Sequence, residues 1–262
     1  MSWIDTEGKE QVGDNTAGGR PVYVPECQVW CVSPRQPLDD DQWSDLLNQM
    51  RDRQIPGLKC GDQITNDRLA QVSELDHLNY LDLSGMNRGI TDDGLWHLRT
   101  LKRLHHLNLN LNSGMNNPRL APARVALAAE VSNLRQLFMS HSVAGDDGFT
   151  ALSRHPRLEG LGAQHCQNLR DRGFAALSRL PKLRNLFISS RFMHDQMIAP
   201  MAEFQALEEF CPAGDNNLTD EVFADIIRAP KLRRLINMYV ANAGDRATEH
   251  VVKSDIVTCY MV

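Results

Sequence analysis

A short leucine motif recurs through most of the chain and constrains the fold more than any other feature of the sequence. The motif Leu-x-x-Leu-x-Leu and its conservative variants occupy the segments 78–83, 104–109, 134–139, 158–163, 183–188, 207–212 and 232–237. A degenerate copy ends at Cys60, and the central apolar residue returns every 23 to 30 residues. Self-similarity at such a period is typical of a solenoid, in which each unit packs against its neighbours.

The second half of most units has the pattern of a helix start. Ile-Thr-Asp-x-Gly-Leu and related sequences occur at 64–69, 90–95, 143–149, 169–174 and 218–223. Thr and Asp side chains accept hydrogen bonds from first-turn N–H groups, and a cation follows several of the helices, as at Arg157, Lys182 and Lys231. Acid at the helix N-terminus and base at its C-terminus both complement the helix dipole. Each unit is therefore predicted to contain one strand and one helix.

With these two patterns in register, the chain resembles the leucine-rich-repeat proteins over about residues 40 to 240. The Ile-Thr-Asp-x-Gly-Leu helix opening resembles the ribonuclease-inhibitor-like and F-box-associated branch of that family. The resemblance implies an α/β solenoid with a curved parallel sheet on the concave face, helices on the convex face and a cap at each end. One unit departs from the pattern because it ends in Cys211-Pro212, where we expect a short or deformed strand.

We divide the chain into four segments. Residues 1–20 are polar and glycine-containing and are expected to form a flexible N-terminal tail. Residues 21–54 form an N-terminal cap with a helix from Asp39 to Met50, and residues 55–240 form the solenoid. Residues 241–262 form a C-terminal cap, with a helix near 246–253 followed by a strand.

Composition excludes several classes of protein. The net charge of −5 argues against a nucleic-acid partner, because such proteins normally carry a basic excess. No apolar run is long enough to span a membrane, and the N-terminus lacks the pattern of a signal peptide. The six cysteines are scattered, which favours free thiols and a cytoplasmic location. No cofactor or catalytic fingerprint is present, so we predict neither a cofactor nor an enzyme.

Residues between the strand leucines should face the concave side of the sheet, where a partner would bind. The candidate partner-binding residues are Tyr80, Asp82, His106, Asn108, Asn116, Phe138, Gln164 and Phe187. Asn116 belongs to an insertion at 112–119 that we expect to protrude as a loop; it is either a binding loop or a simple duplication. Phe138 and Phe187 flank the unit that contains Gly160 and Gly162. Either the glycines leave an open recess, or the phenylalanines lean across and cover it.

His141 and His165 follow consecutive strands, and Cys166 comes next in the chain. Two imidazoles and a thiolate are ligands that zinc and copper accept. However, the sequence offers no clear fourth ligand, and neighbouring histidines on a polar rim are commonly a solvated pair. We therefore assign no metal or catalytic residue and keep a metal site as an alternative.

The sequence predicts a scaffold that recognises a protein partner through its concave strands and adjacent loops. Four alternatives remain. The resemblance to F-box-associated repeats implies a substrate-recognition subunit of a ubiquitin-ligase-like complex, and the same architecture would suit a bacterial effector. A metal-binding protein using His141 and His165 is the third. Self-association through the concave face or the last strand would make the partner another copy of the chain.

Overall fold

A computed structural model gives the fold of the chain. It describes residues 2–4, 10–12, 29–85, 89–110, 129–141, 144–212, 217–237, 245–252, 254, 256 and 258–261. The strands of the described residues are β1 Ser2–Ile4, β2 Glu10–Val12, β3 Val29–Cys31, β4 Gly57–Lys59, β5 Tyr80–Asp82, β6 His106–Asn108, β7 Gln136–Phe138, β8 Gly160–Ala163, β9 Asn185–Ile188, β10 Glu209–Pro212, β11 Arg234–Asn237 and β12 Thr258–Met261. The α-helices that lie wholly within the described residues are α1 Asp40–Asp52, α2 Asn66–Val72, α3 Asp92–Leu95, α4 Asp146–Leu152, α5 Asp171–Leu177, α6 Asp195–Ile198, α7 Val222–Ile226 and α8 Asp245–Val252.

The strands β4 to β12 form one parallel sheet in which spatial order follows chain order. The central leucines pair in register from strand to strand, as the repeat predicts: Leu81 lies opposite Leu107, and Leu137 lies opposite Leu161. These side chains are buried in a continuous apolar core with the helices. The fold class predicted from the sequence is therefore confirmed as an α/β solenoid with a parallel sheet.

The helices of the repeat units are short, and two of them are extended by 3₁₀ turns at Trp96–Thr100 and Ala199–Glu203. At the start of α2 the Thr65 hydroxyl accepts a hydrogen bond from the Arg68 N–H at 3.2 Å, as expected for a cap. Other units use a bond between neighbours instead. The Asp195 side chain, at the start of α6, accepts from the Thr219 N–H of the next unit at 2.9 Å. Short helices are therefore tied to the solenoid as well as capped.

The N-terminal cap contains the predicted helix, which begins after Asp39 with a reciprocal capping box to Gln42. Trp43, Leu47 and Met50 are buried against the first repeat. The strands β1 and β2 lie within the segment for which we predicted a flexible tail. They join β3 in a small antiparallel sheet, in the order β2-β1-β3. Whether this segment is mobile stays a prediction.

At the C-terminal end α8 is followed by β12, which extends the large sheet by pairing with β11. A helix and then a strand were predicted here. The neighbouring strand β10 pairs with β9 over four positions but with β11 only at Glu209 and Phe210. Pro212 has no N–H to donate, so β10 forms fewer pairs with β11 than with β9. This is the unit that departs from the repeat pattern.

Candidate functional site

An open groove of about 630 Å³ lies where the strands begin on the concave side of the sheet. Its walls come from the N-terminal cap, from β5, β6, β7, β9 and β11, and from the residue just before β8. The lining residues are Val29, Asn79, Tyr80, His105, His106, Arg135, Gln136, Phe138, Glu159, Asn185 and Arg234. Three of the residues selected from the sequence, Tyr80, His106 and Phe138, are among them. Cavities of this size accept short peptide segments or small ligands.

An aromatic row crosses three strands at the floor of the groove. The rings of Tyr80 and His106 stack with centroids 4.3 Å apart, and the His106 and Phe138 centroids are 5.3 Å apart. Tyr80 is only 5% exposed, because His106 packs on its ring, whereas His106 and Phe138 are half-buried. Tyr80 therefore supports the row from below, while its neighbours reach the surface of the groove.

Asp82 and Asn108 stabilise the turns that follow their strands. The Ser84 N–H donates to Oδ1 of Asp82 at 2.8 Å, and the Asn110 N–H donates to Oδ1 of Asn108 at 3.0 Å. Asp82 is buried next to Cys60. The burial of Cys60 raises the pKa of its thiol far above the ordinary value, and the negative charge of Asp82 raises it further. The thiol stays protonated and is not a nucleophile. Asn108 is half-buried and still reaches the concave surface.

The two glycines of β8 do not form an open recess. A Cβ added to Gly162 would lie 2.6 Å from Cδ1 of Phe138, and one added to Gly160 would collide with the side chain of Gln136. Side chains of β7 therefore lean across the neighbouring strand and cover it, which is the second of the two alternatives that the sequence left open. Phe187 pairs in register with Gly162 from the other side and is half-buried.

A buried carboxylate that we did not select from the sequence organises one wall of the groove. Glu209 is 8% exposed and accepts hydrogen bonds from Asn185 Nδ2 and Arg234 Nη2, both at 2.7 Å. The three residues start consecutive strands in register. These residues occupy equivalent positions in consecutive repeats, which is the sequence signal that could have indicated their contact. The bonds hold the Arg234 guanidinium on the surface, where a partner can contact it.

His105 lies on the opposite wall. Partial burial lowers the pKa of His105 below its ordinary value, and the charges of Arg135 and Arg157 lower it further, partly offset by Glu159. The imidazole is therefore neutral at pH 7 and available as a hydrogen-bond donor and acceptor. The Arg135 guanidinium approaches the Glu159 carboxylate at 3.9 Å, which places both signs of charge on this wall.

His141 and His165 are close together, but Cys166 does not join them. Their rings stack with centroids 4.8 Å apart, and both residues have a left-handed backbone, with φ of 59° and 55°. Burial lowers the pKa of His141, and the neighbouring His165 lowers it further. Cys166 is fully buried in the apolar core. Within the described ranges, no three His, Cys, Asp or Glu residues are grouped so as to hold a metal ion.

Two further residues selected from the sequence lie elsewhere. Gln164 is half-buried beyond the end of β8, and its carbonyl oxygen accepts a hydrogen bond from the His141 N–H at 2.7 Å. Asn116 and the inserted loop around it lie outside the described residues.

Among the helices that the structure describes, none combines the length and the apolar character needed to cross a membrane.

The comparison with a chain of a solved yeast complex supports the fold. No protein-family model matches the chain, and no curated protein matches it. The chain is similar to a chain in the crystal structure of the yeast Rad7 and Elc1 complex, with 17% identity and a TM-score of 0.57 over 75% of this chain and 53% of that one. Internalin C2 of Listeria monocytogenes matches with 18% identity and a TM-score of 0.48, over 79% of this chain and 81% of that one. Internalin InlF of the same organism matches with 15% identity and a TM-score of 0.49, over 86% of this chain and 64% of that one.

This chain spans about half the length of the chain that it matches in the yeast complex. At such low identity the likeness concerns the fold alone. It agrees with the register of the leucines, the sequential parallel sheet and the helix that follows most of the strands. The chain therefore has the fold of a leucine-rich-repeat solenoid.

Proposed function

We propose that the protein is an interaction scaffold that binds a segment of a protein partner in the concave groove. The observation that carries this proposal is the groove itself, in which the aromatic row lies between two walls of charged and hydrogen-bonding side chains. Aromatic residues and arginine are enriched at the centres of protein interfaces. Here they project from hydrogen-bonded strands, so little conformational entropy is lost when a partner binds.

The proposal assigns no catalytic residue and places the protein in a reducing compartment, the cytoplasm. Cysteines without disulfide bonds support that location: the buried thiols of Cys31, Cys60, Cys166 and Cys211 form no disulfide. Thiols persist in this form in reducing compartments.

The test is to capture partners from a lysate of the native organism with three forms of the protein. The concave variant is Phe138→Ala/Phe187→Ala, and the matched control is Trp96→Ala, which removes an aromatic ring that is 38% exposed on a convex helix. We expect a partner that the wild type and the control retain and that the concave variant loses. Its Kd should rise at least about tenfold in the concave variant. Equal capture by all three forms would contradict the proposal.

A thermal melt of each form accompanies the capture experiment. Phe138 packs on His106 and over Gly162, so its removal also affects the fold. If the concave variant melts far below the wild type, His106→Ala replaces it, because that side chain is at the surface of the row. A partner lost by His106→Ala at an unchanged melting temperature supports the groove as the binding site.

A second candidate function is substrate recognition within a ubiquitin-ligase-like complex. The resemblance of the helix openings to F-box-associated repeats favours it, and the fold is shared with a chain of the Rad7 and Elc1 complex. Such a receptor needs one surface for its substrate and another for the ligase. Ligase subunits would then be captured by the wild type and by the concave variant, whereas substrate would be captured by the wild type alone. Capture without any ligase subunit would exclude this function.

A further inference from the structure

A row of exposed cations runs along one edge of the solenoid, where each helix turns into the next strand. We call it the basic edge and define it as Lys102, Arg103, Arg157, Lys182, Lys231 and Arg233, all of which are exposed. In the described part of the chain, no carboxylate forms an ion pair with any of the six. The opposite edge, where the helices begin, carries acidic residues such as Asp93, Asp147 and Asp171.

The basic edge keeps its charge although acidic residues lie near it. Those carboxylates face other arginines: Glu208 with Arg184 at 2.9 Å and Asp225 with Arg228 at 3.1 Å. A cation near a helix C-terminus gains about 0.3–1 kcal/mol from the dipole, which explains its position. However, that interaction does not neutralise the charge. Lys102 donates to the Arg99 carbonyl oxygen at 2.9 Å and Arg157 donates to Oδ1 of Asn133 at 2.6 Å, and both acceptors are neutral. The chain therefore has a positive edge despite its net charge of −5.

A recess interrupts the row at Ala206. The residue before the first leucine of the unit is Arg157, then Lys182, then Ala206, then Lys231. A cavity of about 240 Å³ lies at this small side chain, lined by Lys182, Lys231, Pro181, Arg184, Glu159 and Glu208. Because adjacent strands are about 4.8 Å apart, the two lysines flank the recess from units about 10 Å apart. An anionic side chain fits between them.

We infer that the basic edge binds an acidic polypeptide segment of a partner and that one anionic side chain of the segment, carboxylate or phosphoryl, enters the recess at Ala206. The lysines on both sides attract the anionic side chain, and the recess determines where it binds. Nucleic acid is disfavoured, because no residue that lines the recess carries an aromatic ring for a base to stack on. Glu159 and Glu208 also line the recess, but they are paired with Arg135 and Arg184 and so do not neutralise the two lysines. Of the described residues, Glu159 is the one that lines both this recess and the concave groove, so the two sites are adjacent, but binding at the basic edge does not depend on the function proposed for the groove.

The test is fluorescence anisotropy with synthetic probes and the full chain. The probes are a labelled peptide of about ten residues rich in Glu and containing one Ser, the same peptide phosphorylated on that Ser, and a version in which Gln replaces Glu. We expect the two acidic probes to bind, the Gln probe not to bind, and affinity to fall as NaCl rises from about 50 to about 300 mM. Tighter binding of the phosphorylated probe would identify a phosphoryl group as the occupant of the recess, and equal binding a carboxylate.

Three variants separate the recess from overall charge. Lys182→Gln/Lys231→Gln should weaken binding at least about tenfold, and Ala206→Leu, which fills the recess without changing charge, at least about fivefold. The control Arg170→Gln/Arg191→Gln removes two charges from the opposite edge, where both guanidinium groups lie over Phe192. It should change affinity by less than about twofold.

Several outcomes would overturn the inference. Equal weakening by the two double variants would mean that only net charge matters. An Ala206→Leu variant that binds like the wild type would exclude the recess as the seat of an anionic side chain. A single-stranded oligonucleotide of about ten nucleotides that binds more tightly than both acidic peptides would exclude an acidic polypeptide as the preferred partner. Circular dichroism melts establish that each variant is folded.

Discussion

The buried histidine His155 shows how a single residue can couple the stability of the solenoid to pH. It is 1% exposed, and its Nδ1 accepts a hydrogen bond from the Arg157 N–H at 3.2 Å. Nε2 therefore carries the proton, and it donates to the Val131 carbonyl oxygen at 3.0 Å. Burial lowers the pKa of His155, and the charge of Arg157 lowers it further, although the bond to Val131 acts in the opposite direction. The native structure thus requires the neutral ring.

We predict that stability falls as His155 is titrated. Because the pKa is lower in the native state, the unfolded chain binds more protons below about pH 6.5, so acid favours unfolding. Stability from the neutral ring is complete above that value and is lost as pH falls towards the native pKa. The unfolding free energy, from urea denaturation at about pH 7.5 and about pH 5, should fall less in His155→Asn than in the wild type. The exposed His97→Asn is the control and should behave as the wild type; an identical pH dependence in all three forms would rule out His155.

At the residue scale, sequence alternation identified which positions face the concave side but not which side chains remain accessible there. Tyr80 was selected as a contact and is covered by His106, and the glycine unit is covered by Phe138. The covering residues come from the adjacent unit, and periodicity carries no information about the direction in which a side chain leans. Glu209 was missed for the same reason, since its partners come from the strands on either side.

At the element scale, hydrogen bonds between successive helix starts stabilise helices that are too short to be stable alone. The side chains of Asn66, Asp146 and Asp195 each accept from a backbone N–H of the following unit, at 2.8 to 2.9 Å. The sequence predicted Thr and Asp at these positions as caps of their own helices. Thr65 does cap its own helix. Asp146 and Asp195 instead accept hydrogen bonds from the next unit, because a solenoid places equivalent helix starts side by side.

Replacing Asp195 tests this connection. Its two oxygens accept from the N–H and the hydroxyl of Thr219, at 2.9 and 2.6 Å. Asp195→Ala should lower the unfolding free energy by about 1–2 kcal/mol, because two hydrogen bonds to a partly exposed carboxylate are lost. The measurement is urea denaturation at neutral pH. The matched control is Asp93→Ala, in the first turn of α3, which should change stability by less than about 0.5 kcal/mol; equal effects would mean that only the helix dipole matters.

At the scale of the whole molecule, the sequence predicted the solenoid but not the separation of its charges. The net charge of −5 describes the sum of an acidic edge and a basic edge. The argument against a nucleic-acid partner used that sum, whereas a partner meets one edge at a time. Leucine spacing carries the architecture because every unit buries the same apolar positions. The charge of each edge depends on which turns lie next to one another, and only the stacked structure shows that arrangement.

The same stacking determines how a defect spreads. Each strand of the large sheet contacts its immediate neighbours, so stability in a solenoid is close to a sum of units and interfaces. Leu161 is 1% exposed in β8 and lies between Leu137 and Leu186. Leu161→Ala should lower the unfolding free energy by about 2–5 kcal/mol, because it removes buried methyl groups and leaves a cavity. We predict that amide hydrogen exchange accelerates most in β7, β8 and β9.

The variant Leu235→Ala provides the mirror experiment, since Leu235 is fully buried in β11, near the other end of the sheet. It should accelerate exchange in β10 to β12 and leave β4 and β5 close to the wild type, whereas Leu161→Ala should affect both ends less than the centre. Exchange measured by mass spectrometry on peptides from each unit distinguishes the two patterns. If either variant accelerated exchange equally in every strand, the solenoid would open as one cooperative unit, and local stacking would not limit the spread of a defect.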